Sequence, residues 1–208
     1  MIHSKTIKDL NGFTKKFNAF LKKKLDKEQD LLNSSINYSI FSGGKRFRPY
    51  LIILFGNEYS LPTSVSMNLA AAVEMMHNYS LVHDDLPAMD NDKYRRGKKT
   101  THYKYNEFIA ILAGCGLLTK TYASLSNRNF KLSDKTKIQL IEHLTKISGE
   151  KGLLKGQYLD LSYEKKQVSK IKIIEMEIKK TGKLFSFCCA APAIIKKKNS
   201  KEIKFFEN

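Results

Sequence analysis

The chain has 208 residues, enough to bury one substantial core, and its 42% hydrophobic content excludes disordered and fibrous classes. No run of roughly 18 apolar residues offers a bilayer span, and the opening residues lack the layout of a secretory signal. Cys115, Cys188 and Cys189 show no metal-ligand spacing and two of them are adjacent, which argues against a disulfide framework and for a reducing cytoplasm. The net charge of +17 raises nucleic acid as a partner, but the excess is lysine scattered along the chain, as in Lys22-Lys23-Lys24 and Lys196-Lys197-Lys198. No basic stripe interleaved with base-stacking aromatics is present, so solvated lysine faces and a small anionic substrate are expected, with no nucleic acid.

Phe13, Phe17, Phe20 and Leu21 recur at helical spacing and predict a first amphipathic helix over residues 8–27. A second segment, 30–41, stops at Gly43-Gly44, and Pro49 opens an apolar helix over 50–58. Beyond Pro62, Ser64 is placed to cap a long helix that runs into an acidic cluster, with Ala70, Ala71 and Ala72 allowing close packing. Further helices are predicted over 107–126, 135–148 and 169–196. Strand-like alternation is scarce and no repeat or linker divides the chain. The expected architecture is all-α, one domain over residues 1–208, with helices roughly antiparallel and joined by short loops.

The chemistry concentrates in residues 84–96. Asp84, Asp85, Asp90 and Asp92 lie just ahead of Arg95 and Arg96. Carboxylates so close repel one another unless a cation sits between them, and Mg²⁺ accepts a few carboxylates together with water and phosphate oxygens. Guanidiniums offer forked donors matched to phosphate. In a straight helix Asp84 and Asp90 would point about 240° apart. Pro87 breaks that geometry, and a bulge at Pro87-Ala88 would return the two carboxylates to one face. Upstream, Gly43-Gly44-Lys45-Arg46-Phe47-Arg48-Pro49 puts backbone N–H groups and three cations at a helix start, a second anion site. His77, two helical turns before Asp84, could bond the same anion.

The run Met76-His77-Asn78-Tyr79-Ser80-Leu81-Val82-His83-Asp84-Asp85-Leu86-Pro87-Ala88-Met89-Asp90-Asn91-Asp92 closely resembles the first aspartate-rich motif of the trans-polyprenyl diphosphate synthases, the bacterial farnesyl diphosphate synthase type above all. The Gly43 to Pro49 stretch matches the family's basic motif. Arg95-Arg96-Gly97, residues 152–161 with Gly156-Gln157 and Asp160, and Lys180-Thr181-Gly182-Lys183-Leu184-Phe185 match three more, in family order.

The resemblance implies an isoprenoid-synthase-like helical bundle around an apolar cavity and a Mg²⁺-dependent, homodimeric prenyltransferase. An allylic diphosphate (dimethylallyl or geranyl), clamped through Mg²⁺ on Asp84 and Asp90 with Asp85 as an outer ligand, would ionise. Isopentenyl diphosphate, held by Gly44, Lys45, Arg48, His77 and Arg96, would attack the resulting cation. Arg95 and Lys180 would hold the allylic diphosphate, with Thr181 and Gln157 near the reacting end. Tyr79 and Ser80 lie roughly 6–7.5 Å deeper along the helix than Asp84. By resemblance, Tyr79 would floor the cavity and limit the product to farnesyl diphosphate.

Two departures stand out. Cys115 occupies a position where bacterial relatives usually carry Asp, and a second aspartate-rich motif, expected further along, is missing from these 208 residues. The domain is therefore expected to be C-terminally incomplete, leaving the apolar faces of 50–58 and 184–195 without partners. A truncated enzyme, a naturally short and catalytically weak homologue, and a non-catalytic subunit that binds diphosphates or a partner chain all fit the residues.

Overall fold

A computed structural model describes residues 2–25 and 30–206, with side chains from residue 9 onward. It is built from helices, as expected. The first, α1 (Ile2–Lys24), buries Phe17 and Leu21, stacks Phe13 on Phe17 at 5.4 Å between ring centroids, and ends on three lysines that complement its C-terminal dipole. The predicted continuation through Asp26 and Lys27 falls outside the described residues. Asp30 caps α2 (Leu31–Phe41) by accepting the Asn33 backbone N–H at 2.7 Å. Next comes α3 (Phe47–Glu58), entered through Gly43 and Gly44, both at φ near +120°, and Arg46 in a left-handed conformation.

The centre of the bundle is α4 (Thr63–Asp84), buried along most of its length and flanked by α3 on one side and α6 (Glu107–Ser126) on the other. Ala70, Ala71 and Ala72 are all buried, the close packing expected of them. At the far end, a Cβ on Gly114 would fall 2.1 Å from the His83 ring, so α6 can approach α4 there only because residue 114 has no side chain. Ser64 does not cap this helix. Pro62 stands at its N-cap position, and no side chain caps it there.

Between α4 and α6 a short hairpin, β1 (Tyr94–Arg95) and β2 (Lys98–Lys99), leads into the single-turn α5 (Thr101–Lys104). Its loop is Arg96-Gly97, both with positive φ, the conformation that two-residue hairpin loops favour. Asn106 caps α6, and Ser133 caps α7 (Asp134–Ser148). Although α6 is long and apolar enough to suit a bilayer by composition, it turns Ile109, Ala113, Leu117 and Leu125 into the protein core.

The predicted helix over 169–196 is three pieces: α9 (Lys170–Glu177), a π-turn over Ile178–Gly182, and α10 (Lys183–Ile195). Ahead of them, α8 (Leu153–Tyr163) packs against the π-turn, and α11 (Ser200–Phe205) follows. Contrary to expectation, α10 is well covered. It packs on α3 and α7 and buries Leu184, Phe187, Cys188, Ala191 and Ile194. The reason is that α3 and α10 serve as each other's partners, and among the described residues the large apolar groups left exposed on these two helices are Phe47 and Leu54.

Candidate functional site

The predicted site residues gather around the C-terminal half of α4 in two clusters, one acidic and one basic. On the acidic side, α4 ends at Asp84 rather than bulging and continuing. Residues 85–89 loop out, and the Asp90 backbone N–H donates to the Asp84 carbonyl at 2.9 Å. Asp84 and Asp90 are brought together as Pro87 implied, by a closed loop instead of a helical bulge.

Each carboxylate of the motif has a different environment. Asp85 is buried and accepts from Arg95 at 2.6 Å, and Arg95 also reaches Asp92 at 3.3 Å. Arg95 therefore faces carboxylates here, so its expected grip on a diphosphate would be shared with Asp85. Asp90 is exposed and accepts from the Gln157 amide at 3.2 Å. Asp84 is buried, and burial pushes its pKa up to about 7 despite the nearby Lys180 charge, with Asp90 and Asp85 adding to the rise. Lys180 is ion-paired with Asp160 of α8. Burial works against its charge, but Asp160 together with Asp84 and Asp90 outweighs burial and raises its pKa.

The π-turn that carries Lys180 and Thr181 lies directly on α8. A Cβ on Gly156 would fall 2.2 Å from the Lys180 backbone nitrogen, so glycine is required for Lys180 to sit where it does. Gln157, the next residue, is buried, and its side-chain oxygen has no hydrogen-bond partner.

The basic cluster surrounds a cavity of about 550 Å³, lined in part by Gly44, Lys45, Arg48, His77 and Arg96. Arg96, at the hairpin tip, donates to the Gly43 carbonyl at 2.7 Å, and a Cβ on Gly44 would meet its guanidinium at 2.4 Å. Gly44 thus makes the room that lets the two basic motifs meet. Arg48 lies over the Phe185 ring at 4.3 Å and donates to His77 Nε2 at 3.2 Å, while its Nε is buried without a partner. Burial and the surrounding guanidiniums of Arg48 and Arg96 hold the His77 pKa well below its ordinary value. A neutral imidazole accepting from Arg48 orients that guanidinium rather than adding charge.

Of the three cations expected at the start of α3, Arg46 has another task. It is buried, ion-paired with Glu74 at 2.5 Å, and donates to Asn18 at 2.9 Å and to the Ile40 carbonyl at 2.6 Å. That leaves Lys45 and Arg48 for an anion. The buried pair escaped the sequence reading, because nothing in the local spacing distinguishes Arg46 from its neighbours. Tyr79 is half-buried against the edge of His83, at 4.9 Å between ring centroids, and Ser80 Oγ donates to the His77 carbonyl at 2.9 Å.

Among the described residues no three His, Cys, Asp or Glu side chains are poised together for a metal. The donors nonetheless suit Mg²⁺, which binds through one or two carboxylates and takes its remaining ligands from water and substrate phosphate. Asp84 and Asp90 offer that pair, and a carboxyl held half-protonated near neutral pH is one that a cation would ionise.

The polyprenyl synthetase family model matches residues 29–208. The farnesyl diphosphate synthase of Micrococcus luteus is 38% identical over 192 residues, 92% of this chain and 65% of that protein. The Escherichia coli enzyme of the same name is 42% identical over 151 residues, 72% of this chain and 50% of that protein. Among solved structures, an FPP/GFPP synthase from Zymomonas mobilis superposes with a TM-score of 0.91 at 30% identity, covering 97% of this chain and 75% of that one. A geranyltransferase from Legionella pneumophila gives 0.90 at 34% identity, covering 98% and 73%. The chain thus spans half to just under two thirds of the length of these two curated relatives.

Proposed function

Since this chain belongs to the polyprenyl synthetase family, we propose that it is a prenyltransferase joining isopentenyl diphosphate to an allylic diphosphate, with farnesyl diphosphate as the product. The observation that carries this reading is the pairing of a basic cavity, closed by Gly44 against Arg96, with a carboxylate loop at the end of the same helix. Two anionic substrates need separate sites, one of which must also stabilise a leaving group.

In this reading Lys45, Arg48 and Arg96 bind isopentenyl diphosphate, and His77 holds Arg48 in place. Lys180 and Arg95 receive the allylic diphosphate beside Asp84, Asp85 and Asp90. Mg²⁺ bound at Asp84 and Asp90 would supply positive charge against the departing diphosphate. Lys180, held by Asp160, adds a fixed charge near Asp84 as the C–O bond breaks and its electron pair leaves with the diphosphate. The isopentenyl double bond then attacks the allylic cation, and loss of a proton restores an alkene. Thr181 and Gln157 border the reacting end, and Tyr79 and Ser80 set the chain length. Three free cysteines support a reducing, cytoplasmic setting, and the exposed Phe108, Ile111 and Leu112 on α6 support a homodimer through that face.

A second reading rests on the exposure of Leu154 and Tyr158 on α8 and Phe47 on α3. A carbocation needs a dry wall, and with these side chains in water the chain would bind diphosphates, or a partner chain, without turnover. Incubation with Mg²⁺, isopentenyl diphosphate and geranyl diphosphate, read by mass spectrometry, separates the two. A Mg²⁺-dependent C15 product supports the transferase. Calorimetric binding of both diphosphates without product supports the binder. Failure to bind either one refutes both.

A further inference from the structure

We propose that α9, extended by Ile178 after it, forms a docking face for an anionic lipid bilayer. Of the residues in α9, only Met176 is buried. Ile171, Ile174 and Ile178 are 79%, 48% and 50% exposed, and their spacing aligns them in one aliphatic stripe, with Ile173 at its edge at 44%. Isoleucines left this open on a helix call for an apolar neighbour.

The surrounding charge identifies the neighbour. Between residues 165 and 180 stand six lysines and two glutamates. Lys180 is engaged by Asp160, and Glu175 pairs with Lys179 at 3.6 Å. Lys179, next to Ile178 in the chain, also lines a cavity of about 260 Å³ together with Lys146, Lys151 and Lys183. An aliphatic stripe flanked by lysines and joined to a four-lysine hollow matches a surface with acyl chains within and phosphates at its rim. A second copy fits poorly, because a two-fold contact through this stripe would bring the same lysines face to face. Nucleic acid supplies phosphates but no partner for isoleucines, and the stripe contains no aromatic ring to stack on bases. The docked face adjoins the turn that carries Lys180, yet the proposal does not depend on the reaction assigned above.

The test is flotation of the 208-residue chain with vesicles of phosphatidylglycerol and phosphatidylcholine, against phosphatidylcholine alone, at low and high salt. Binding is expected only to the anionic vesicles and should weaken with salt. Ile171→Ser/Ile174→Ser and Lys170→Gln/Lys172→Gln should each lower the partition coefficient by about tenfold or more. Ile138→Ser, on α7, should leave it unchanged. All five positions are exposed, and circular dichroism checks that helix content is retained. Lack of binding to anionic vesicles overturns the proposal, as does binding indifferent to the isoleucine pair or lost only with Ile138→Ser. If the isoleucine pair instead changes the oligomeric state in sedimentation, with no vesicle binding, a second copy covers the stripe and the lipid assignment falls.

Discussion

Asp84→Asn should stabilise the metal-free protein while abolishing the proposed turnover. Folded, the Asp84 carboxyl keeps its proton up to about pH 7, whereas unfolded it releases it near the ordinary value of 3.8. Between those values the unfolded state binds fewer protons, so stability falls as pH rises. Across the whole window the loss amounts to up to about 4 kcal/mol at about 1.4 kcal/mol per pH unit. Asparagine cannot ionise and escapes that loss. Urea unfolding in chelator should therefore give wild type and variant similar stability near pH 4, and a gap that opens to a few kcal/mol by pH 8. Adding Mg²⁺ with inorganic diphosphate should narrow the gap by stabilising wild type alone, by about 2.7 kcal/mol at a hundredfold excess over the dissociation constant. Parallel pH profiles for the two proteins in chelator would refute the reasoning, since Asp84 would then carry no burial penalty for a cation to relieve.

Arg46→Met should cost about 3–5 kcal/mol by stranding the buried Glu74 charge, and Arg46→Met/Glu74→Leu should regain at least half of that in urea unfolding; additive losses would mean that the pair is not coupled. Gly156→Ala places a Cβ against the Lys180 backbone, which cannot yield as a side-chain tip can. A loss of about 2–3 kcal/mol is expected, read as a fall of several degrees in Tm, and an unchanged Tm would contradict the close approach. Gly44→Ala strains a residue at φ +121° and displaces the Arg96 guanidinium. Calorimetry should show isopentenyl diphosphate weakened about tenfold with geranyl diphosphate little changed, and equal weakening of both would undo the assignment of the basic cavity.

The helices of the bundle were legible where apolar periodicity and turn chemistry agreed, as in α2 with its Asp30 cap and α6 between Asn106 and Ser126. The break at Ile178–Gly182 was not, because a π-turn inserts one residue without interrupting helical composition. Its close packing depends on Gly156, on another helix, which leaves room for the Lys180 backbone. The short hairpin was missed for a related reason. Two residues per strand give no alternation to read, and its only local signal is Arg96-Gly97. Ser64 has the chemistry of a cap but not the position, since the chain turns into α4 at Pro62.

At the site, the residue types were legible and their partners were not. Lys45, Arg46 and Arg48 look alike in a line of text, yet Glu74, 28 residues from Arg46, engages its guanidinium in a buried ion pair at the wall of the anion cavity. The acidic loop follows the same logic. Four carboxylates in one short segment would be self-repelling, and the fold resolves the conflict by unequal means. Arg95 pairs with Asp85 and touches Asp92, Asp90 is left in water with Gln157 as a donor, and burial still raises the pKa of both Asp85, despite Arg95, and Asp84, despite Lys180. A fold selected for stability alone would place an amide or an apolar group at position 84. In the function proposed above, a cation held by Asp84 and Asp90 would offset that burial penalty. Binding energy from the diphosphate and its metal would thus be drawn in part from a desolvation cost that Asp84 already bears in the folded chain.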